Sequence, residues 1–209
     1  MKTKRNAAEA KRSAEAAKKV KVSADFRKQI VYTTFITTER EKGMKTQTEY
    51  RIARLQDGAL LADFELEARR TEPGVMDGEI VKEEYIPQFE AWFQGQLYVN
   101  TRIVLAIVEG QVVGRCDFTM KGSFMDGFRN AYVDWIYVLK PYRHRGVAQG
   151  LIAFMEQYLR EQDIEEYFLI TAHNDEAQNF YTHFHGYERS EDWVLRKSVK
   201  PNPIVDEML

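Results

Sequence analysis

Alternating apolar and polar positions from Tyr50 to Leu55 (YRIARL) predict a first strand, with successive side chains on opposite faces. Leu60, Leu61, Phe64 and Ala68 then recur at helical spacing, and the Pro and Gly of TEPG end that helix. A second helix is predicted over about Val81 to Phe93, with Ile86, Phe89 and Phe93 on one side and Pro87 disturbing its start. Ile103–Val108 and Val112–Met120 read as two strands of a hairpin joined by Glu109-Gly110-Gln111. Beyond the loop KGSFMDGFRN comes a long strand, AYVDWIYV, residues 131–138. YRHRG then leads into a helix with Val147, Leu151, Phe154, Met155 and Tyr158 along one face. YFLIT (167–171) reads as a buried strand, and Asn174 as the cap of a helix that turns Ala177, Phe180, Tyr181 and Phe184 inward. Trp193 to Val199 supplies a last strand. The order β-α-α-β-β-β-α-β-α-β, without internal repeat, predicts an α/β fold with a mixed sheet.

Charge divides the chain. Residues 1–43 carry 12 Lys/Arg against 5 Asp/Glu, and residues 44–209 carry 18 against 27. That asymmetry marks 1–43 as a basic N-terminal extension, 44–200 as the folded domain and 201–209 as a C-terminal tail. The first twenty residues, rich in Ala, Lys and Glu, favour a loose solvated helix, while Ile30–Thr38 (IVYTTFITT) could form a strand. The extension reads either as an anchor for nucleic acid or an anionic surface, or as a plain solvated segment; Met44 could be the natural start. The acidic main domain argues against nucleic-acid binding, which needs clustered cations. No apolar run nears the ~18 residues of a membrane span, and the N-terminus lacks the apolar stretch of a signal peptide. With Cys116 as the only cysteine, neither an intrachain disulfide nor a thiolate metal cluster can form, and a cytoplasmic setting is expected. Cys116 reads as a small buried residue.

The densest chemistry lies in VLKPYRHRGVAQGLI, residues 138–152. A strand ends, a basic loop with a glycine follows, and a helix starts. Free amides at a helix N-terminus, together with its dipole, attract anions. Gly146 and small Ala148 let phosphate oxygens approach the backbone, and Arg143 and Arg145 raise the local positive potential. The loop lacks the Gly-Lys-Ser/Thr of a Walker loop and the second glycine of a dinucleotide fingerprint.

These residues resemble the GNAT superfamily of acyl-CoA-dependent N-acetyltransferases. Its motif, Arg/Gln-x-x-Gly-x-Gly/Ala, is matched by Arg143, Gly146 and Ala148. A second block, Asn-x-x-Ala-x-x-x-Tyr followed by Gly-aromatic, is matched by Asn174, Ala177, Tyr181 and Gly186-Tyr187, with one residue more than the commonest spacing between Tyr181 and Gly186. The resemblance spans roughly residues 48–199 and implies the GNAT-like acyl-CoA N-acyltransferase fold, with acetyl-CoA as co-substrate and no metal. It implies that the backbone of Ile136, Tyr137 and Val138 meets the pantetheine arm and the acetyl carbonyl. It also implies that the amides of His144, Arg145, Gly146, Val147, Ala148 and Gln149 hold the diphosphate, and that Asn174 contacts the cofactor.

Tyr181 is the candidate acid for the leaving thiolate, because a phenol with a reference pKa of about 10 is protonated at neutral pH; a core tyrosine is the other reading of the same position. Many members carry a glutamate base where this sequence has Tyr132. Asp134 is the candidate base here, since by alternation it shares a face with Tyr132, Ile136 and Val138; a structural ion pair is the competing role. His183 and His185, two apart on a helix, do not face each other, so a metal site is not expected.

Nine Asp/Glu between residues 62 and 95, among them Asp63, Glu65, Glu67, Glu72 and Asp77, suggest acidic walls for a cationic amine, or simply a solvated helix face. The expected activity is transfer of acetyl to a primary amine of a small molecule by direct attack in a ternary complex. Acetylation of a protein N-terminus or lysine, and a non-catalytic acyl-CoA sensor, are the alternatives. No membrane partner is expected. Trp92, Phe93 and Trp193 could serve a homodimer.

Overall fold

The computed structural model describes residues 33–39, 45–74, 78–171, 174–182, 186–191 and 194–195. They divide into two units, Met1–Leu169 and Ile170–Leu209.

The first unit is built on a six-stranded sheet in sequence order: β1 (Thr33–Glu39), β2 (Lys45–Ile52), β3 (Thr101–Val108), β4 (Gln111–Gly122), β5 (Arg129–Val138) and β6 (Glu166–Leu169). Every neighbouring pair is antiparallel except β5–β6, which is parallel. A parallel pair needs a crossover, and the helix α3 (Val147–Glu161) supplies it. The strand option for Ile30–Thr38 is realised over Thr33–Glu39, which pairs with β2 along its full length. The sheet therefore begins before Met44, where a boundary was expected from charge: a basic stretch can still form an edge strand when it is rich in β-branched residues. The first strand also starts earlier than expected, at Lys45. The rest of residues 1–43, and the tail 201–209, lie outside the described residues.

Helices α1 (Gly58–Thr71) and α2 (Lys82–Gln94) cover one face of the sheet. Leu61, Phe64 and Ala68 of α1 and Phe89 of α2 are buried with Leu105, Ile107, Val112 and Tyr137 in one apolar cluster, which Ile103, Tyr85 and Trp135 border. Pro87 lies inside α2 rather than at its start. The residue lacks an amide donor, but five residues into the helix that costs a single ladder bond near the end of the first turns. The start of α1 is fixed by a buried bidentate pair, in which Arg51 donates to Asp57 at 2.6 and 2.8 Å.

The opposite face carries α3. Its Val147, Leu151, Met155 and Tyr158 are buried as the periodicity predicts. The Cys116 thiol sits 3.8 Å from the Met155 sulfur, and Phe118 meets Tyr158 edge-on at 5.8 Å. Burial pushes the Cys116 thiol well up, in keeping with an inert core residue. Gly150 allows α3 to approach β2 closely, because a Cβ there would stand 2.2 Å from the Tyr50 ring.

In the second unit, α4 (Asp175–Thr182) begins at Asn174, whose side-chain oxygen accepts the Ala177 amide at 2.8 Å. The expected cap is present. Phe184, His183, His185 and Trp193 lie outside the described residues. Of the expected last strand, only Val194 and Leu195 are described, and they are not in a strand.

Candidate active site

Strand β5 has two irregularities that periodicity alone does not reveal. Across the β4–β5 ladder Asp117 pairs with Trp135, but Phe118 pairs with Val133. Asp134 is therefore an extra residue, a β-bulge, and bulges re-aim side chains. Beyond it the faces exchange. Ile136 lies opposite Cys116, and Val138 would touch a Cβ at Gly114 together with Leu151 and Val147, so both face α3. Trp135 and Tyr137 instead face α1 and α2. The expectation that Asp134 shares a face with Ile136 and Val138 is thus corrected. Asp134 itself is exposed and accepts a hydrogen bond from the Thr119 hydroxyl at 3.0 Å, and that hydroxyl also meets Thr101 at 3.1 Å.

The second irregularity is on the other edge. β6 follows β5 only from Asn130 to Val133, ending at Leu169. From Asp134 to Val138, β5 has no strand partner on that side among the described residues. The Leu139 amide donates to the Val113 carbonyl of β4 at 2.9 Å. By alternation, the amides of Ile136 and Val138 point the opposite way, into the open edge. An extended, amide-bearing chain could complete that edge as a further strand would.

The open edge runs directly into the loop. Lys140–Tyr142 form a single 3-10 turn, and the chain then reaches Gly146 at the head of α3. His144 and Gly146 both have positive φ, 56° and 79°. Gly146 adopts that conformation without cost, and nothing lies within 4 Å of where its Cβ would stand. No side chain caps the helix. The first helical amide to find a carbonyl is that of Gly150, bonded to Gly146 at 2.9 Å, so those of Val147, Ala148 and Gln149 precede any intrahelical partner. The positive end of the dipole is exposed at the same place. The residues present fit a diphosphate. Arg145 is exposed, with its guanidinium 5.7 Å from the Tyr142 ring.

Arg143 departs from the expectation of a free cation. Its guanidinium forms an ion pair with Glu72, donates to the Val138 carbonyl at 2.9 Å and lies 5.2 Å from the Tyr137 ring centre. Its amide is used as well, on Lys140 at 3.2 Å. Glu72 offsets one of the two cations it meets, Arg143 and Lys140, so the positive potential of the loop comes from Arg145, the helix and the one charge left over in that cluster.

The acidic wall is similarly altered. Asp63 is paired with Lys82, Glu67 with Arg70, Glu72 with Arg143, and Glu65 with both Arg69 and Arg115. Those four carboxylates offset cations of the protein itself; Asp77 lies outside the described residues. Sequence reasoning missed the underlying network, in which Arg115 bridges Glu65 of α1 and Asp117 of β4. Burial raises the Asp117 carboxyl despite Arg115. Charged residues at alternate positions of β4, Arg115 and Asp117, were the available signal.

The sequence profile of the acetyltransferase (GNAT) family matches residues 63–187. The chain belongs to that family. No curated protein matches it. Solved structures share the fold at low identity. An aminoglycoside acetyltransferase from an uncultured soil metagenomic sample superposes with a TM-score of 0.60 at 17% identity, over 73% of this chain and 97% of that one. A ribosomal-protein-alanine N-acetyltransferase from Brucella melitensis biovar Abortus 2308 gives 0.56 at 18% identity, over 72% and 99%. An aminoglycoside N-acetyltransferase in complex with CoA gives 0.56 at 16%, over 74% and 97%. This acetyltransferase thus carries the loop and the open edge in its first unit. Asn174 and Tyr181, of the second motif block, lie in its second unit. There the half-buried Tyr181 ring packs against Phe180 at 5.0 Å and Tyr187 at 5.4 Å. Trp92 and Phe93 are exposed, and no helix among the described residues is long and apolar enough to cross a membrane.

Proposed function

We propose that this acetyltransferase moves acetyl from acetyl-CoA to a primary amine of a small molecule, by direct attack in a ternary complex. One observation carries the reading: among the described residues the edge of β5 beyond Val133 has no strand partner, and a single 3-10 turn and a short loop join it to the uncapped start of α3. Bound acetyl-CoA supplies the thioester whose acetyl group is transferred. The amides from His144 to Gln149 take up the diphosphate charge, with Arg145 beside them. The Ile136 and Val138 amides hold the pantetheine arm along the open edge, and one of them stabilises negative charge growing on the carbonyl oxygen. Asn174 is assigned to the cofactor on the motif resemblance alone.

Two protons must move. Asp134, exposed at the bulge and oriented by Thr119, takes a proton from the bound ammonium, directly or through water, so that the free amine can attack. The Tyr181 hydroxyl donates to the leaving thiolate. Asp134→Asn is expected to lower kcat roughly tenfold to 10²-fold, with melting temperature and CoA affinity near wild type. An unchanged kcat across the pH range would remove Asp134 from the reaction.

Direct attack also predicts a kinetic pattern. Initial rates measured with both substrates varied should give intersecting double-reciprocal lines; parallel lines would indicate an acyl-enzyme and contradict the ternary complex. A peptide amine is the second reading, because the ribosomal-protein-alanine acetyltransferase is as similar in fold as the CoA-bound aminoglycoside enzyme.

A further inference from the structure

We infer that Glu72 is a positioning residue for cofactor binding, holding the diphosphate loop in place from the end of α1 through Arg143. The inference rests on the loop's being the diphosphate site, and it concerns a residue outside both motif blocks.

Glu72 follows the last residue of α1, and its side chain is only 11% exposed. That one carboxylate gathers donors from three successive pieces of the chain. The Tyr137 hydroxyl comes from the end of β5, the Lys140 ammonium from the 3-10 turn at 3.3 Å, and the Arg143 guanidinium from the first residue of the loop. Arg143 in turn donates to the Val138 carbonyl and covers the Tyr137 ring. The end of the open edge, the turn and the loop are thereby tied to one helix. Burial alone would raise the Glu72 carboxyl, but Tyr137, Arg143 and Lys140 together hold it below its ordinary value. Burial and the adjacent carboxylate push the Tyr137 phenol up to about 12, so it remains a donor.

The loop needs such a hold. It places a non-glycine residue, His144, at positive φ two positions before Gly146, a conformation that costs about 1–2 kcal/mol. The helix amides it presents have no carbonyl of their own to fix their direction. Preorganised amides bind an anion without further ordering cost; a loop free to sample other conformations does not.

Positioning and simple charge predict opposite signs. By charge alone, removing the Glu72 carboxylate frees two cations near an anion site and tightens binding. By positioning, the same change loosens the loop and weakens binding. The test is calorimetric titration of CoA into the full chain, with steady-state kinetics beside it. Glu72→Gln and Arg143→Gln should each weaken CoA about tenfold and raise the acetyl-CoA KM to match. For Glu72→Gln, the amine KM and the kcat at saturating acetyl-CoA should stay near wild type. The double variant should be no weaker than the worse single one, because both remove the same hold. Tyr137→Phe removes one donor and keeps the ring, so it should weaken CoA a few-fold and gives the sign even if Glu72→Gln fails to fold. CoA bound equally or more tightly by Glu72→Gln, or by Tyr137→Phe, overturns the inference. So does a double variant whose loss is the product of the two. Wild-type protein that fails to bind CoA would instead overturn the diphosphate reading itself, and the inference with it.

Discussion

Gly146→Glu is expected to abolish measurable CoA binding while leaving the protein folded. At φ 79° a residue with a Cβ costs about 1–2 kcal/mol, yet nothing lies within 4 Å of where that Cβ would stand. A carboxylate at a helix N-terminus recovers roughly 0.3–1 kcal/mol from the dipole, so the melting temperature should fall only slightly. Binding is affected far more. The new carboxylate occupies the space over the Val147, Ala148 and Gln149 amides and repels the diphosphate from them. Losing two charge-assisted hydrogen bonds of about 1.5 kcal/mol each corresponds to roughly 10²-fold in affinity. Acetyl-CoA should raise the melting temperature of wild-type protein, because a ligand that binds the native state stabilises it by mass action. The variant should show no such rise. An unchanged rise in Gly146→Glu would remove the loop from the account.

Tyr181→Phe should have the largest effect on turnover. The substitution keeps the ring that meets Phe180 and Tyr187 and removes only the hydroxyl. If that hydroxyl protonates the thiolate, kcat falls on the order of 10²-fold, while CoA affinity and melting temperature barely move. A core tyrosine would show the reverse, with turnover nearly intact or stability reduced. Normal stability with normal turnover excludes the acid role and leaves water or another side chain to supply the proton. The family assignment would survive, because it rests on the profile match and not on this proton.

What could be read from the sequence depended on the range of the cause. The hairpin at Glu109-Gly110, the α3 stripe from Val147 to Tyr158 and the Asn174 cap follow from near neighbours, and the structure has each of them. The bulge at Asp134 does not, because it exists only relative to β4, and a period-two reading of β5 carries through it unchanged. That is why Ile136 and Val138 were expected on the wrong face. Glu72 was counted as one acid among nine; its partner Arg143 lies 71 positions away, and nothing local pairs them. β1 was obscured by the charge around it, although its β-branched and aromatic content was visible. Gly146 was legible because a tight loop before a helix requires the left-handed conformation that glycine adopts.

Acetyl transfer to an amine at the loop and open edge has a direct assay. Release of free CoA thiol from acetyl-CoA, followed against a panel of primary amines and short peptides, tests it most directly. Amine-dependent release is expected with at least one small-molecule amine, stoichiometric with the acetylated product, and it should be lost in Gly146→Glu. Thiol release from peptides alone would move the acceptor to a protein. Tight CoA binding with no release from any amine would contradict the claim and leave a non-catalytic acyl-CoA-binding protein in its place.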